Sequence, residues 1–507
     1  MPDPLLLALD AGTTSTRALL FHADGRALAT AARPLRQHYP QPGRVEHDAA
    51  EIRDAALAVL RECLATAGVP ASRVVALGVA NQRETTVVWD RATGVPVGPA
   101  IVWQDRRTAD ACARLAGQGL APHAEATTGL RLDPYFSGTK LAWILDHTPG
   151  ARAAAEAGRL AFGTVDAWLV WTLTGGADGG LHATDVTNAS RTLLWDLRRG
   201  RWDETMLGAL GVPASLLPEV RPSSGDFGAV RAGLLGAAVP IRGVAGDQHA
   251  ALFGQACLVP GQTKITLGTG AFLLRHTGRA AARSSHGLVS TAAFDAGAGT
   301  EFALEGSVFV AGAAVQWLRD ELGVVDSAEA TAGLAASVPD TGGVVFVPAF
   351  TGLGAPHWDP AARGLVAGIT RGTTRAHLTR AALEAVAFQV RDVVDAMAAD
   401  VAAAGLPDAD GGHALRVDGG AAANPVLLRM LADATGQPVE RPALVEATAW
   451  GAAALAGVAA GVLTRADVAA QWRADVRVEP DPASPLRTDG YAAWQRAVAL
   501  ARGWAAP

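Results

Sequence analysis

Leu5-Leu-Leu-Ala-Leu-Asp10-Ala-Gly-Thr-Thr-Ser-Thr-Arg17-Ala-Leu-Leu-Phe21 is the stretch whose reading decides the fold. Leu5 to Leu9 is an unbroken apolar run, as expected of a strand buried on both faces. It ends at Asp10. Ala11 to Thr16 is a turn of small and hydroxyl-bearing residues, and Ala18 to Phe21 is a second apolar run. Such a hairpin sets a carboxylate at a strand end beside hydroxyls and open backbone amides. Phosphate fits the turn because small residues let the backbone approach it. A divalent cation fits the carboxylate because Mg²⁺ takes hard oxygen ligands and retains most of its waters. The alternative for this stretch by itself is a tight turn with an ordinary aspartate.

The second half of the chain restarts the pattern. Thr263-Lys-Ile-Thr-Leu-Gly268-Thr269-Gly270-Ala-Phe272-Leu-Leu predicts strand, glycine-flanked threonine, strand. Leu415-Arg-Val-Asp-Gly419-Gly420-Ala421-Ala-Ala-Asn424-Pro425 predicts strand, glycine-rich turn, helix. One such turn is weak evidence. Three of them, in the order acid-turn, Gly-Thr-Gly, Gly-Gly, point to a nucleotide held between two similarly built halves with a cleft between them. No Gly-x-x-x-x-Gly-Lys-Ser/Thr occurs, which argues against a P-loop kinase.

Between these turns, apolar runs repeatedly end in polar clusters. Val74 to Val79 leads into Asn81-Gln82-Arg83-Glu84-Thr85-Thr86, followed by a strand at Val87 to Trp89. Ile101-Val102-Trp103-Gln104 repeats the pattern, and Asp133-Pro134-Tyr135-Phe136-Ser137-Gly138-Thr139-Lys140 precedes a helix reaching His147. Gly243-Val-Ala-Gly246-Asp247-Gln248-His249 sets an acid at a helix start, where the macrodipole favours the charged form; an N-cap aspartate is the plainer reading. Sheets present side chains where strands end, so these clusters are candidate site residues. Arg83 beside Glu84, taken alone, reads better as a simple surface ion pair, but both sit at a strand end, which favours a site. Asp48 is positioned to cap a helix from Ala49 to Thr66. Trp168 and Trp171 read as core, Thr184 to Arg191 as a polar loop, Asp203 to Leu217 as helical, and Thr373 to Ala404 as one or two long helices.

At 507 residues the chain suits two large domains. A net charge of −6 gives no electrostatic case for nucleic acid or anionic membrane. The most apolar late stretch, Ala447 to Leu463, is mostly Ala and Gly and is shorter than the roughly 20 residues of a bilayer span. No signal-type segment is read at the start, so a cytoplasmic protein is expected. Cys63, Cys112 and Cys257 are far apart and odd in number, which predicts buried thiols rather than a disulfide framework or zinc site.

Essentially end to end, the chain resembles the FGGY carbohydrate kinases of the actin-like ATPase superfamily. The motifs that carry the likeness are the first phosphate turn at Leu9 to Arg17, Asn81 to Thr86, Ile101 to Gln104, Asp133 to Lys140, Gly246-Asp247-Gln248 and Phe350-Thr-Gly-Leu-Gly-Ala-Pro356. The resemblance implies an α/β fold of two ribonuclease H-like (actin-like ATPase) domains, 1–253 and 254–507, with a catalytic cleft between them. The first would carry the substrate site and first phosphate turn, the second the other phosphate turn and the adenosine site. It implies phosphorylation of glycerol to sn-glycerol 3-phosphate with ATP and Mg²⁺. Glycerol is implied because pentulose kinases of the family carry a Gln-Met-His-Gly type segment where this chain has Gln82-Arg83-Glu84-Thr85.

Carried over motif by motif, Arg83, Glu84, Tyr135, Asp247 and Gln248 are implied as hydroxyl ligands, with Trp103 and Phe272 as an apolar wall. Asp247 is implied as general base and Asp10 as the Mg²⁺-side carboxylate. Thr13, Thr14, Ser15, Arg17, Thr269, Gly312, Gln316, Gly420, Ala421 and Asn424 are implied for the nucleotide. A cytoplasmic homodimer or homotetramer is expected. Ala11, Arg44 and His357 stand where relatives commonly carry Gln, Trp and Tyr. The Arg231 to Ile241 segment lacks both the fructose 1,6-bisphosphate site and the phosphorylatable His of some relatives, so neither mode of regulation is expected.

Overall fold

The computed structural model describes residues 3–406 and 413–505. Its architecture is one plan built twice. In the first half, Leu5–Ala11, Ser15–His22 and Ala27–Pro34 form an antiparallel meander, and Val74–Asn81 and then Val239–Gly246 add in parallel on the other side of Leu5–Ala11. In the second half, Thr263–Leu267, Ala271–Gly278 and Glu301–Val308 form the meander, and Leu415–Asp418 and Val439–Pro442 add in parallel. This is the α/β ribonuclease H-like pair that the sequence predicts.

The opening strand shows why its sequence is continuously apolar. Leu5, Leu7 and Leu9 pack with Ile52, Val59 and Leu60 of the Ala49–Ala67 helix on one face. Leu6 and Ala8 pack with Ala452 to Ala456 of the Ala447–Ala459 helix on the other. Asp48 caps the first of these helices as predicted, its carboxylate accepting from the Ala50 amide at 2.8 Å.

The Ala447–Ala459 helix belongs by sequence to the second half but lies on the first sheet and crosses the Asp247–Gly254 helix. Its Ala/Gly composition follows from how closely it approaches. A Cβ at Gly78 would stand 2.0 Å from the Ala452 carbonyl oxygen, and one at Gly254 would stand 2.1 Å from that of Ala447. At Gly451 the distance to the Ala250 carbonyl oxygen would be 1.8 Å. Backbone faces backbone at these points, so no rotamer change relieves the clash. Gly451→Ala is therefore expected to destabilise the protein by at least the about 1–3 kcal/mol typical of overpacking, read as a fall in denaturation midpoint. An unchanged midpoint would show that the two helices separate at little cost.

Among the described residues, no helix is long and apolar enough to cross a membrane. The three cysteines are buried thiols, as predicted. Trp168 and Trp171 stack in the core, 5.7 Å between ring centroids. The Thr373 to Ala404 stretch is one helix, Arg375–Ala403. Other local expectations need correction. The strand expected at Val87 to Trp89 is present as Val87–Asp90, paired with Leu160–Gly163, but the strand at Ile101 is only Ala100–Ile101. The helix expected from Asp203 to Leu217 is Glu204–Leu210, capped by Asp203 and ended by Gly211 in the left-handed region at φ 61°.

The largest difference is at Thr184 to Arg191. It is no solvated loop: it forms Ala183–Asp185 and Val186–Ala189 and is buried throughout. Its polar groups are spent inside. Asp185 accepts from the Thr187 and Asn188 amides, Asn188 exchanges amide hydrogen bonds with Asn81, and Thr187 accepts from the Gly246 amide at 2.9 Å.

Candidate functional site

The parallel strands of the first sheet end together. Asp10 is level with Ala80, which is level with Ala245, so the acid, the Asn81 to Thr86 cluster and Asp247 emerge on one edge. Ligands of open α/β sheets bind outside such carboxyl ends.

Asp10 takes a guanidinium N–H of Arg17 at 2.7 Å, and Arg17 reaches Glu446 of the second half at 2.7 Å. Burial holds the Asp10 carboxyl above its ordinary value despite Arg17. Asp247 opens the Asp247–Gly254 helix, with Gly246 as the N-cap, and its Oδ1 accepts from the Gln248 amide at 2.7 Å. The helix-start argument predicts a carboxyl held in its charged form. The net direction is the opposite of the helix-start shift: burial raises the Asp247 pKa, Arg83, 3.3 Å away, lowers it, and the nearby Asp10 raises it. Its side chain keeps 27% of its surface open to the cleft, which suits a proton acceptor.

Arg83 and Glu84 are buried, so the surface ion-pair reading falls. Glu84 is held at φ 60°, an uncommon conformation for a residue with a side chain and one that clusters at functional sites. Its carbonyl oxygen accepts from Ser137 at 3.0 Å and Lys140 at 3.3 Å, which anchors the turn. Gly246 makes room for Arg83: a Cβ there would stand 2.6 Å from Arg83 Cγ.

Two residues that sequence reasoning missed complete this cluster. Glu305, from the buried Glu301–Val308 strand of the second half, accepts both Arg83 terminal nitrogens at 2.5 and 3.0 Å. Arg191, from the segment misread as a loop, donates to Glu305 at 3.0 Å and to Glu84 at 2.6 Å. Burial alone would raise the Glu305 pKa, but Arg191 and Arg83 hold it well below the ordinary carboxylate range. Arg83 is pushed down by burial but carried above its usual value by Glu305, Glu84, Tyr135 and Asp247.

The aromatic wall is present. Trp103 meets Tyr135 edge-on at 5.7 Å and Phe272 of the second half at 6.2 Å. The Tyr135 hydroxyl lies 3.5 Å from an Arg83 nitrogen. The Trp103 indole donates to the Thr13 hydroxyl at 3.0 Å, which ties the wall to the first phosphate turn. Gln248 lies beside Asp247 and accepts from the buried Lys264 ammonium.

In the second half a cavity of about 500 Å³ is lined by Thr269, Gly312, Gln316, Gly420, Ala421 and Asn424, all six nucleotide candidates of that half. Gly420 has nothing within 4 Å of where its Cβ would be, so its backbone is open to a ligand. Asn424 also caps the Pro425–Thr435 helix, accepting from the Val426 and Leu427 amides. Thr13, Thr14, Ser15 and Arg17 are not in this cavity; they form the turn at the edge of the first sheet. The two groups of nucleotide candidates thus face the cleft from opposite halves.

Among the described residues, no group of three or more His, Cys, Asp or Glu side chains is arranged to hold a metal ion. Mg²⁺ does not need one, because it binds through one or two carboxylates plus phosphate oxygens and water. Asp10, a carboxylate beside an open turn, fits that role.

Residues 5–254 match the N-terminal domain of the FGGY family of carbohydrate kinases, and residues 263–460 match its C-terminal domain. The chain belongs to the FGGY family of carbohydrate kinases. It is 55% identical over 502 residues to a glycerol kinase of Symbiobacterium thermophilum, covering 99% of each chain. To a glycerol kinase of Thermus brockianus it is 56% identical over 499 residues, 98% of this chain and 99% of that one. Among solved structures, Plasmodium falciparum glycerol kinase with ADP superimposes with a TM-score of 0.90 at 31% identity, covering 98% of both chains. Xylulose kinase from Rhodospirillum rubrum gives a TM-score of 0.83 at 27% identity, covering 98% of both chains.

Proposed function

We infer that this chain is a glycerol kinase, transferring the γ-phosphoryl group of ATP to glycerol with Mg²⁺ assistance. The observation that carries the reading is the buried Arg83–Glu84 pair set against the Trp103, Tyr135 and Phe272 wall. Glycerol is three hydroxyls on a short carbon chain, and each hydroxyl taken out of water needs a paired donor and acceptor. Arg83, Glu84, Tyr135, Asp247 and Gln248 supply those, and the aromatic rings face the carbons. An actin-like protein that only switched on nucleotide would need no such cluster.

In this reading Asp247 accepts the proton of the attacking hydroxyl, and its raised pKa makes it a stronger base. Backbone amides of the three phosphate turns and Arg17 neutralise and position the phosphates, which is most of what phosphoryl transfer asks of a protein. Asp10 would hold Mg²⁺, which would supply charge neutralisation on the phosphates. The cleft divides domains 1–253 and 254–507, with the Ala447–Ala459 helix returning to brace the first. A cytoplasmic homodimer or homotetramer is the assembly proposed.

ATP consumption with and without glycerol, alongside a panel of other polyols and ketoses, tests the reading directly. Glycerol-dependent turnover supports it, and faster turnover with another substrate overturns it. Arg83→Ala removes a charged donor worth about 1.5–3 kcal/mol per hydrogen bond, so the glycerol KM is expected to rise about 10- to 100-fold. An unchanged KM would remove Arg83 from the site.

A further inference from the structure

Lys264 lies on the Thr263–Leu267 strand of the second half and is fully buried. Its ammonium donates to the Gln248 side-chain oxygen and to the Thr266 hydroxyl at 2.7 Å. An ammonium has donors only, so the Gln248 group facing it must be the carbonyl oxygen. That fixes which way the amide points, a matter that an amide's near-symmetric shape leaves open. Lys264 engages the carbonyl oxygen of the Gln248 side chain and leaves the two amide N–H donors to point away from the ammonium. Gln248 is the neighbour of Asp247 and is 8% exposed.

We propose that Lys264 is a positioning residue for phosphoryl transfer: by holding the Gln248 carbonyl, it turns the amide N–H donors toward the substrate. The inference rests on the assignment of Gln248 to the glycerol site. A hydroxyl that accepts from Gln248 cannot also give it a proton, so its own proton must point elsewhere. The acceptor adjacent in sequence is Asp247. Lys264 therefore makes Gln248 and Asp247 divide the work on a hydroxyl, one donating and the other accepting. If the amide turned over, both would present acceptors, and the single hydroxyl proton could serve only one. Lys264 touches neither substrate in this arrangement. Its effect passes through Gln248.

A double-mutant cycle separates this from a merely structural role. Lys264→Met, Gln248→Ala and the double variant are compared in the full-length protein for glycerol KM, ATP KM and kcat. The expected result is a rise of about tenfold or more in glycerol KM for Lys264→Met, the size of one charged hydrogen bond lost or misdirected, with ATP KM little changed. In the Gln248→Ala background, Lys264→Met should change glycerol KM less than about twofold, because the amide it orients is gone. Equal losses on both backgrounds would overturn the proposal while leaving Gln248 in the site. An unchanged glycerol KM for Gln248→Ala itself would overturn the site assignment and the proposal with it. Where Lys264→Met does not fold, Lys264→Gln, which keeps a neutral donor for the Gln248 carbonyl, is expected to hold glycerol KM within about twofold of wild type, and a rise of about tenfold there would overturn the proposal.

Discussion

Asp247→Asn is expected to lower kcat by about 10²- to 10⁴-fold, the usual contribution of a positioned general base. The amide keeps the shape of the carboxyl and its acceptor oxygen for the Gln248 amide, but it loses the charge that takes up the hydroxyl proton. Nucleotide affinity should barely change, because the cavity that would hold the nucleoside is lined by Thr269, Gly312 and Gly420 rather than by Asp247. Asp10→Asn should behave differently. Its defect should be tied to Mg²⁺ and partly relieved by raising the metal concentration. Measuring kcat and nucleotide Kd for both variants across a Mg²⁺ series distinguishes them. The pH profile adds an independent check. Burial and Asp10 raise the Asp247 pKa, and a base works only when deprotonated. The acid limb of kcat should therefore lie above the range of an ordinary aspartate and be absent in Asp247→Asn. Near-wild-type kcat in that variant would return Asp247 to a structural role and leave Glu84 as the next carboxylate to test.

The contrast between what was readable and what was not follows from the range of the interactions. Leu5 to Arg17 was readable because a strand buried on both faces, an acid and a small-residue turn are all local properties. Its counterpart at Thr263 to Leu274 was readable for the same reason, and the two gave the duplicated architecture. Asp247 was visible at its helix start, but the direction of its pKa shift was not. The macrodipole is a local feature, whereas the burial and the Asp10 carboxylate that outweigh it come from the assembled sheet edge. Arg191 and Glu305 gave no signal at all. Arg191 ends a polar segment that looks like a loop, and distant partners, Asn81 for Asn188, Gly246 for Thr187 and Thr291 for Ser190, bring it inside. Glu305 sits in a strand whose alternating composition suggests a solvent face, yet every residue of that strand is buried: the Arg375–Ala403 helix covers the Leu304 face, and Arg83 and Arg191 of the first half meet Glu305 on the other. Charges that pair across more than 100 residues of chain cannot be read from spacing.

That pairing supports the second large expectation. Glu305→Gln leaves the Arg83 and Arg191 guanidiniums, both 0–2% exposed, without the one carboxylate to which both donate hydrogen bonds. Removing one partner of a buried ion pair typically costs about 3–5 kcal/mol, so a lowered denaturation midpoint of that size is expected at neutral pH. The effect should also reach the substrate. Glu305 engages both terminal nitrogens of Arg83, and loss of that hold frees Arg83 to turn toward Asp247 and Glu84, raising the glycerol KM. The pH dependence has a definite sign. Glu305 is held well below the ordinary carboxylate range, so its contribution is complete above the unfolded-state pKa of about 4.3 and is lost as pH falls toward the folded-state value. The stability gap between wild type and Glu305→Gln should therefore be widest near neutrality and narrow below about pH 4. A gap under about 1 kcal/mol, the range of exposed pairs, would mean that water reaches the cluster and that the two halves are not clasped there by charge. A full gap with an unchanged glycerol KM would keep the clasp and show that Arg83 is oriented by Tyr135 and Asp247 instead.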